Sequence, residues 1–120
     1  MRGLHLTADL YQCRCEARWL TEPRQLGQWS RQAAEAVGLA VEHELSCAGP
    51  GGGASAALLL PGSHVLLHTS PGDRGVLVDV CLTHAQDDLA VRARELMQAL
   101  VQRFQPEWTE QRSLDRGESA

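Results

Sequence analysis

From Leu4 to Cys13 apolar and polar side chains alternate: Leu4, Leu6, Ala8 and Leu10 fall on one side, His5, Thr7, Asp9 and Tyr11 on the other. That period of two predicts a half-buried strand. Thr21-Glu22-Pro23 reads as a helix start, with Thr21 as the cap and Pro23 in the first turn. Leu26, Trp29, Ala33, Ala36 and Val37 then recur at helical spacing until Gly38. Leu39 to Leu45 predicts a second strand, and the glycine-rich stretch from Cys47 to Ala54 a loop. Ala56 to Leu60 predicts a short apolar strand, interrupted by Pro61-Gly62 and resumed from His64 to Thr69. Ser70 to Gly75 is a turn. Val76 to Thr83 is another strand, with Val76, Val78, Val80 and Leu82 on one face and Leu77, Asp79, Cys81 and Thr83 on the other. A second helix runs from about Asp87 to Phe104 and stops at Pro106, before a final short strand around Trp108. Amphipathic strands with two helices predict an α+β fold, a two-layer sandwich of an antiparallel sheet with helices on one face. The polar second face of that sheet then meets solvent or another subunit.

Length sharpens this to one domain, residues 1–111, followed by a polar, mobile tail over 112–120. Only five of 120 residues are Trp, Tyr or Phe, so Leu, Val and Ala must fill a thin core. The formal net charge of −4 builds no basic surface, which argues against nucleic acid as a partner. No apolar run reaches the length of a membrane span, so the chain reads as cytoplasmic, with reduced thiols. Cys13 and Cys15 have no second close pair to complete a zinc site, so no metal is expected. Cys13, Cys15 and Cys47 read as small buried residues.

Candidate chemistry gathers around Ser63. By itself a serine after glycine, between two strand segments, is a turn or bulge residue. Its polar company is what changes that reading: Ser55, His64, His68, Asp79, Cys81 and Thr83 all lie on nearby alternating strands.

The segment Gly62-Ser63-His64-Val65-Leu66-Leu67-His68-Thr69-Ser70-Pro71-Gly72 resembles a motif of the prokaryotic S-adenosylmethionine decarboxylase proenzymes, roughly Glu-Ser-His-x-x-x-His-Thr-Trp-Pro-Glu. The first strand, Gly3-Leu4-His5-Leu6-Thr7-Ala8-Asp9-Leu10-Tyr11-Gln12-Cys13, is similar to that family's Gly-x-His-x-x-x-(Asp/Glu)-x-Tyr-x-Cys. Gly53-Ala54-Ser55 and Val78-Asp79-Val80 also have counterparts there. The resemblance implies self-cleavage between Gly62 and Ser63, with Ser63 the nucleophile that becomes a pyruvoyl cofactor, and Ser55 and His68 assisting. Such a group forms a Schiff base with a substrate amine and draws off the electrons released with carbon dioxide, in polyamine biosynthesis. It also implies a homodimer, sheets face to face, with active sites near the interface.

The departures are specific. Gly62 stands where the family has glutamate; Ser70 and Gly72 replace the tryptophan and glutamate that hold adenosine; Cys47-Ala48-Gly49-Pro50 lacks a second ring. The family's proton-donor cysteine falls at Thr83, and Cys81, two residues earlier on the same face, is the candidate replacement, displaced by about 7 Å. Three functions therefore stay open. One is a decarboxylase of S-adenosylmethionine with a divergent pocket. Another is a decarboxylase of a smaller amino acid such as ornithine or arginine, with Asp73, Asp79 or Glu44 contacting the distal cation. The third is a non-catalytic homologue that dimerises or regulates a partner.

Overall fold

The computed structural model describes residues 2–83 and 89–117. Its chain order is β1 (Gly3–Tyr11), α1 (Arg18–Thr21), α2 (Pro23–Ala36), β2 (His43–Ala48), a 3-10 turn at Pro50–Gly52, β3 (Ala54–Leu60), β4 (Ser63–Ser70), β5 (Gly75–Thr83), α3 (Leu89–Phe104) and β6 (Trp108–Arg116). The six strands form one sheet in the order β2-β3-β4-β5-β1-β6. Every neighbouring pair is antiparallel. The fold is the expected α+β two-layer sandwich, with α2 and α3 on one face of the sheet.

Side-chain alternation decides which face the helices cover. Leu4, Leu6, Ala8 and Leu10 of β1, Val65 and Leu67 of β4, and Val76, Val78, Val80 and Leu82 of β5 are all buried. Against them pack Leu26 and Ala34 of α2 and Ala93, Leu96, Met97, Leu100 and Phe104 of α3. Three of the five Trp, Tyr and Phe rings cluster where the helices meet. Trp29 lies edge-on to both Trp19 and Phe104, and the Arg103 guanidinium sits 4.4 Å from the Trp19 ring centre and 5.0 Å from that of Trp29.

Helix α2 ends as Gly38 predicted. That glycine has φ 84°, and the N–H groups of Gly38 and Leu39 donate to Glu35 and Ala34 carbonyls. Both bonds satisfy end carbonyls that the helix leaves open. The start differs from expectation. Thr21 closes the short helix α1 and donates back to the Ala17 carbonyl, while Glu22 caps α2 with its backbone geometry alone. Strand β2 begins at His43, four residues later than Leu39, because Leu39 is spent on the helix cap and buried in the core. The expected helix start at Asp87 lies outside the described residues.

The largest correction is at the C-terminal end. Residues from Arg112 were expected to form a polar, mobile tail, yet β6 continues to Arg116, paired with β1 as far as Gly3. Its side chains are mostly exposed, so the strand carries no burial signal. Backbone hydrogen bonding to β1 builds it instead. Among the described residues, no helix is long and apolar enough to cross a membrane.

Candidate active site

Ser63 opens β4, directly after Gly62, whose φ of 66° lies in the left-handed region. A side chain at that position would cost roughly 1–2 kcal/mol, which is a local reason for glycine there. Two hydrogen bonds fix the Gly62–Ser63 peptide against the end of β5. The Thr83 backbone N–H donates to Ser63 Oγ at 2.9 Å, and the Thr83 hydroxyl donates to the Gly62 carbonyl. Ser63 keeps the parity of Val65 and Leu67, and lines a cavity of about 240 Å³ on the helix side with Leu39, Leu60, Leu82, Thr83 and Arg92. The Arg92 guanidinium there donates to the Gly38 carbonyl.

Ser55, His68, Asp79 and Cys81 occupy the helix-free face, in rows set by strand register. Cys47, Ser55, His68, Leu77, Asp9 and Glu110 form one row. Within it Ser55 Oγ and His68 Nδ1 lie 2.7 Å apart, a hydrogen-bonded pair. Leu66, Asp79 and Thr7 sit in the next row, and His64, Cys81 and His5 in the one after. The His5 and His64 rings meet edge-on at 6.5 Å. His5 Nε2 is 3.7 Å from the Asp79 carboxylate, an ion-pair distance when the imidazole is protonated. Beneath those rings Cys81 is only 3% exposed.

The sequence groups these residues around Ser63; the structure divides them. Ser63 and His68 are five residues apart on β4, about 17 Å at strand spacing, and they project from opposite faces. Cys81 is near Ser63 in register but is covered by imidazoles. Asp73 lies in the β4–β5 turn, at the His68 end of the sheet, where it lines an open cavity with Gln12, Arg14, Arg74 and Glu107. Asp79 occupies the middle of the open face. Glu44 is 3.8 Å from the Arg31 guanidinium, which gives it a structural partner.

Two motif positions are structural. Thr69 is buried; its hydroxyl donates to the Leu20 carbonyl at 2.6 Å and accepts from the Ala54 N–H at 2.8 Å, tying α1 to the sheet. Gly53 packs so tightly that a Cβ there would stand 2.4 Å from the Thr69 carbonyl oxygen. The cysteines split as well. Cys13 and Cys15 are buried as expected, and burial pushes both thiols up, Cys13 to about 11, so neither is a ready thiolate. Cys47, expected to be buried, is exposed, because β2 is an edge strand whose side chains mostly face solvent. Among the described residues, no group of three or more His, Cys, Asp or Glu side chains converges as metal ligands would. The sequence places Thr83 among the polar neighbours of Ser63 and at the missing cysteine's position, but does not show its grip on Gly62 and Ser63. Its place in the motif was the available signal.

Residues 4–117 match the family model described as S-adenosylmethionine decarboxylase. Among solved structures, the adenosylmethionine decarboxylase from Aquifex aeolicus VF5 superposes with a TM-score of 0.84 at 23% identity, covering 98% of this chain and 92% of that one. At that identity the likeness establishes the shared fold. A comparison with curated proteins gave no match.

Proposed function

The chain belongs to the S-adenosylmethionine decarboxylase family, and from that premise we propose that it is a self-processing decarboxylase, cut between Gly62 and Ser63, that acts on S-adenosylmethionine or a related amino acid. The observation that carries this reading is the Ser55–His68 hydrogen bond. Thirteen residues apart in sequence, a hydroxyl and an imidazole meet on the open face, as an acid–base pair would.

Cleavage starts when Ser63 Oγ adds to the Gly62 carbonyl carbon. The Gly62–Ser63 carbon–nitrogen bond then breaks, the nitrogen gains a proton, and an ester links Gly62 to Ser63 Oγ. Elimination from that ester frees the Gly62 carboxylate, and one water releases the nitrogen as ammonia, leaving a pyruvoyl group at residue 63. The residues present fit such a group: the Thr83 N–H already holds an oxygen at this position, and the neighbouring cavity gives access to it. When formed, the pyruvoyl carbonyl takes up the substrate amine and accepts the electrons that decarboxylation releases.

His68 is too far from Ser63 to serve it within one chain. A second copy supplies it. Leu45, Leu59, Leu77 and Leu114 are 45–65% exposed, and all lie on the open face. Four exposed leucines on one helix-free face are what a second copy would bury. A two-fold axis between two such faces, running across the strands, reverses strand direction. The partner's Ser55–His68 pair then comes to the end of the sheet where β4 begins, and it reaches the Ser63 hydroxyl, which faces the helices, around the exposed Pro61–Gly62 turn; the partner's Asp73 turn moves toward the same end.

A smaller substrate is the second reading, and one observation favours it. Ser70 and the stretch Cys47-Ala48-Gly49-Pro50, where the family resemblance calls for rings, carry none, and Gly72, in place of its glutamate, is exposed with nothing within 4 Å of where a Cβ would be. Two absent stacking rings would each forfeit about 1–3 kcal/mol of base binding.

Intact mass spectrometry of fresh protein tests the proposal. The expected result is two fragments, the C-terminal one about 17 Da lighter than its serine form through loss of ammonia. A single uncleaved mass would leave the non-catalytic reading standing. Carbon dioxide release from S-adenosylmethionine, ornithine, arginine and lysine then separates the substrates.

A further inference from the structure

We infer that Thr83 is a catalytic residue of the self-cleavage: its hydroxyl polarises the Gly62 carbonyl while its backbone N–H aims the Ser63 oxygen. The inference rests on the self-processing reading above and adds to it an electrophilic catalyst. Addition to a peptide carbonyl places negative charge on the carbonyl oxygen, and a donor already directed there stabilises it as it develops. Here that oxygen is Gly62 O, and its donor is the Thr83 hydroxyl. The nucleophile is oriented by the same residue, since Thr83 N–H occupies one lone pair of Ser63 Oγ. A hydroxyl oxygen has two lone pairs, so the second remains for attack.

The arrangement depends on backbone features of this chain. The φ of 66° at Gly62 sets the direction of the turn that leads into β4. Register places Cys81 opposite His64, so β5 extends past the start of β4 and its last residue, Thr83, faces the Gly62–Ser63 peptide. The Ser63 Oγ–H proton passes to a base, the new oxygen–carbon bond forms, the carbon–nitrogen bond breaks, and a proton returns to the Ser63 nitrogen. The Thr83 hydroxyl proton is shared with the oxyanion and never transferred. A valine at this position keeps the shape and the N–H but removes the donor. A serine keeps the donor and loses a methyl group.

The test follows full-length chains made by cell-free synthesis and sampled over time by intact mass. Thr83→Val should slow cleavage by about 10²- to 10³-fold, the usual loss for one oxyanion donor. Thr83→Ser should stay within about tenfold of wild type, well above the range for a missing donor. Thr83→Ala repeats the loss of the hydroxyl if the valine variant does not fold, and thermal unfolding identifies which variants are folded. Hydroxylamine, which cuts esters, locates the step: no ester should accumulate in Thr83→Val. Cleavage of Thr83→Val and Thr83→Ala at the wild-type rate would overturn the role. So would a hydroxylamine-sensitive ester building up in Thr83→Val, since Thr83 would then act after the acyl shift. An uncleaved wild-type chain would instead overturn self-processing itself, which keeps the two failures distinct.

Discussion

At the scale of single residues, burial separates the chain's reactive groups more sharply than their types do. Cys13 and Cys15 resemble a ligand pair in sequence, but both are buried, and burial raises both thiols, Cys13 to about 11. The folded state keeps a proton that the unfolded chain gives up, so the contribution is whole below the unfolded value and is lost as pH rises through the folded one. Stability to urea should therefore decline between about pH 9 and about pH 11, the span of the Cys13 shift. Replacing Cys13 and Cys15 by alanine should flatten that decline, and an unchanged slope would count against it. Thr69 makes a second test. Its hydroxyl joins the Leu20 carbonyl to the Ala54 N–H inside the core. Thr69→Val keeps the volume but leaves both groups buried without a partner, at a cost of about 1–3 kcal/mol each. Denaturant midpoints should show a loss of that order with the slope unchanged.

Elements were legible from sequence where one face is apolar. β1, β3, β4 and β5 alternate cleanly, and all four lie inside the sheet over the helices. α2 and α3 show their buried stripes, and Gly38 marks a true helix end. The two edge strands were legible only in their existence, not in their extent. β2 and β6 have almost no buried side chains, so neither start nor finish is written in hydrophobicity. α1 spans four residues, too short for a period to show. The same reasoning predicts what β6 contributes. Ending the chain after Gln111 removes the partners of Gly3 to Thr7 on β1 and leaves that edge unpaired. Because few buried side chains are lost, the truncated chain should still fold, with faster amide exchange along Gly3 to Thr7 and a greater tendency to aggregate. Unaltered exchange there would mean that β6 does not protect β1.

For the whole molecule, the sequence grouped the candidate residues but did not set their distance from one another. Strand parity put Ser55, His64, His68, Asp79 and Cys81 on a common face. The sequence left Ser63 in the break before the strand from His64 to Thr69, whereas β4 begins at Ser63, which therefore faces the other way, with His68 about 17 Å along the same strand. A site split in this manner makes complementation the decisive measurement. A Ser63→Ala chain cannot cleave itself but carries an intact Ser55–His68 pair. A His68→Ala chain keeps Ser63 but offers no imidazole to its partner. Each should remain uncleaved when made alone. Co-expressed, mixed dimers place the intact pair of the Ser63→Ala chain over Ser63 of the other, so the His68→Ala chain, and it alone, should be cut. Leu77→Arg sets a charge on the exposed leucine beside His68 in register, and should abolish both the dimer and the rescue. Restored cutting would require sharing between subunits. Its absence, with mixed dimers confirmed by native mass spectrometry, would place the whole of the processing chemistry within one chain.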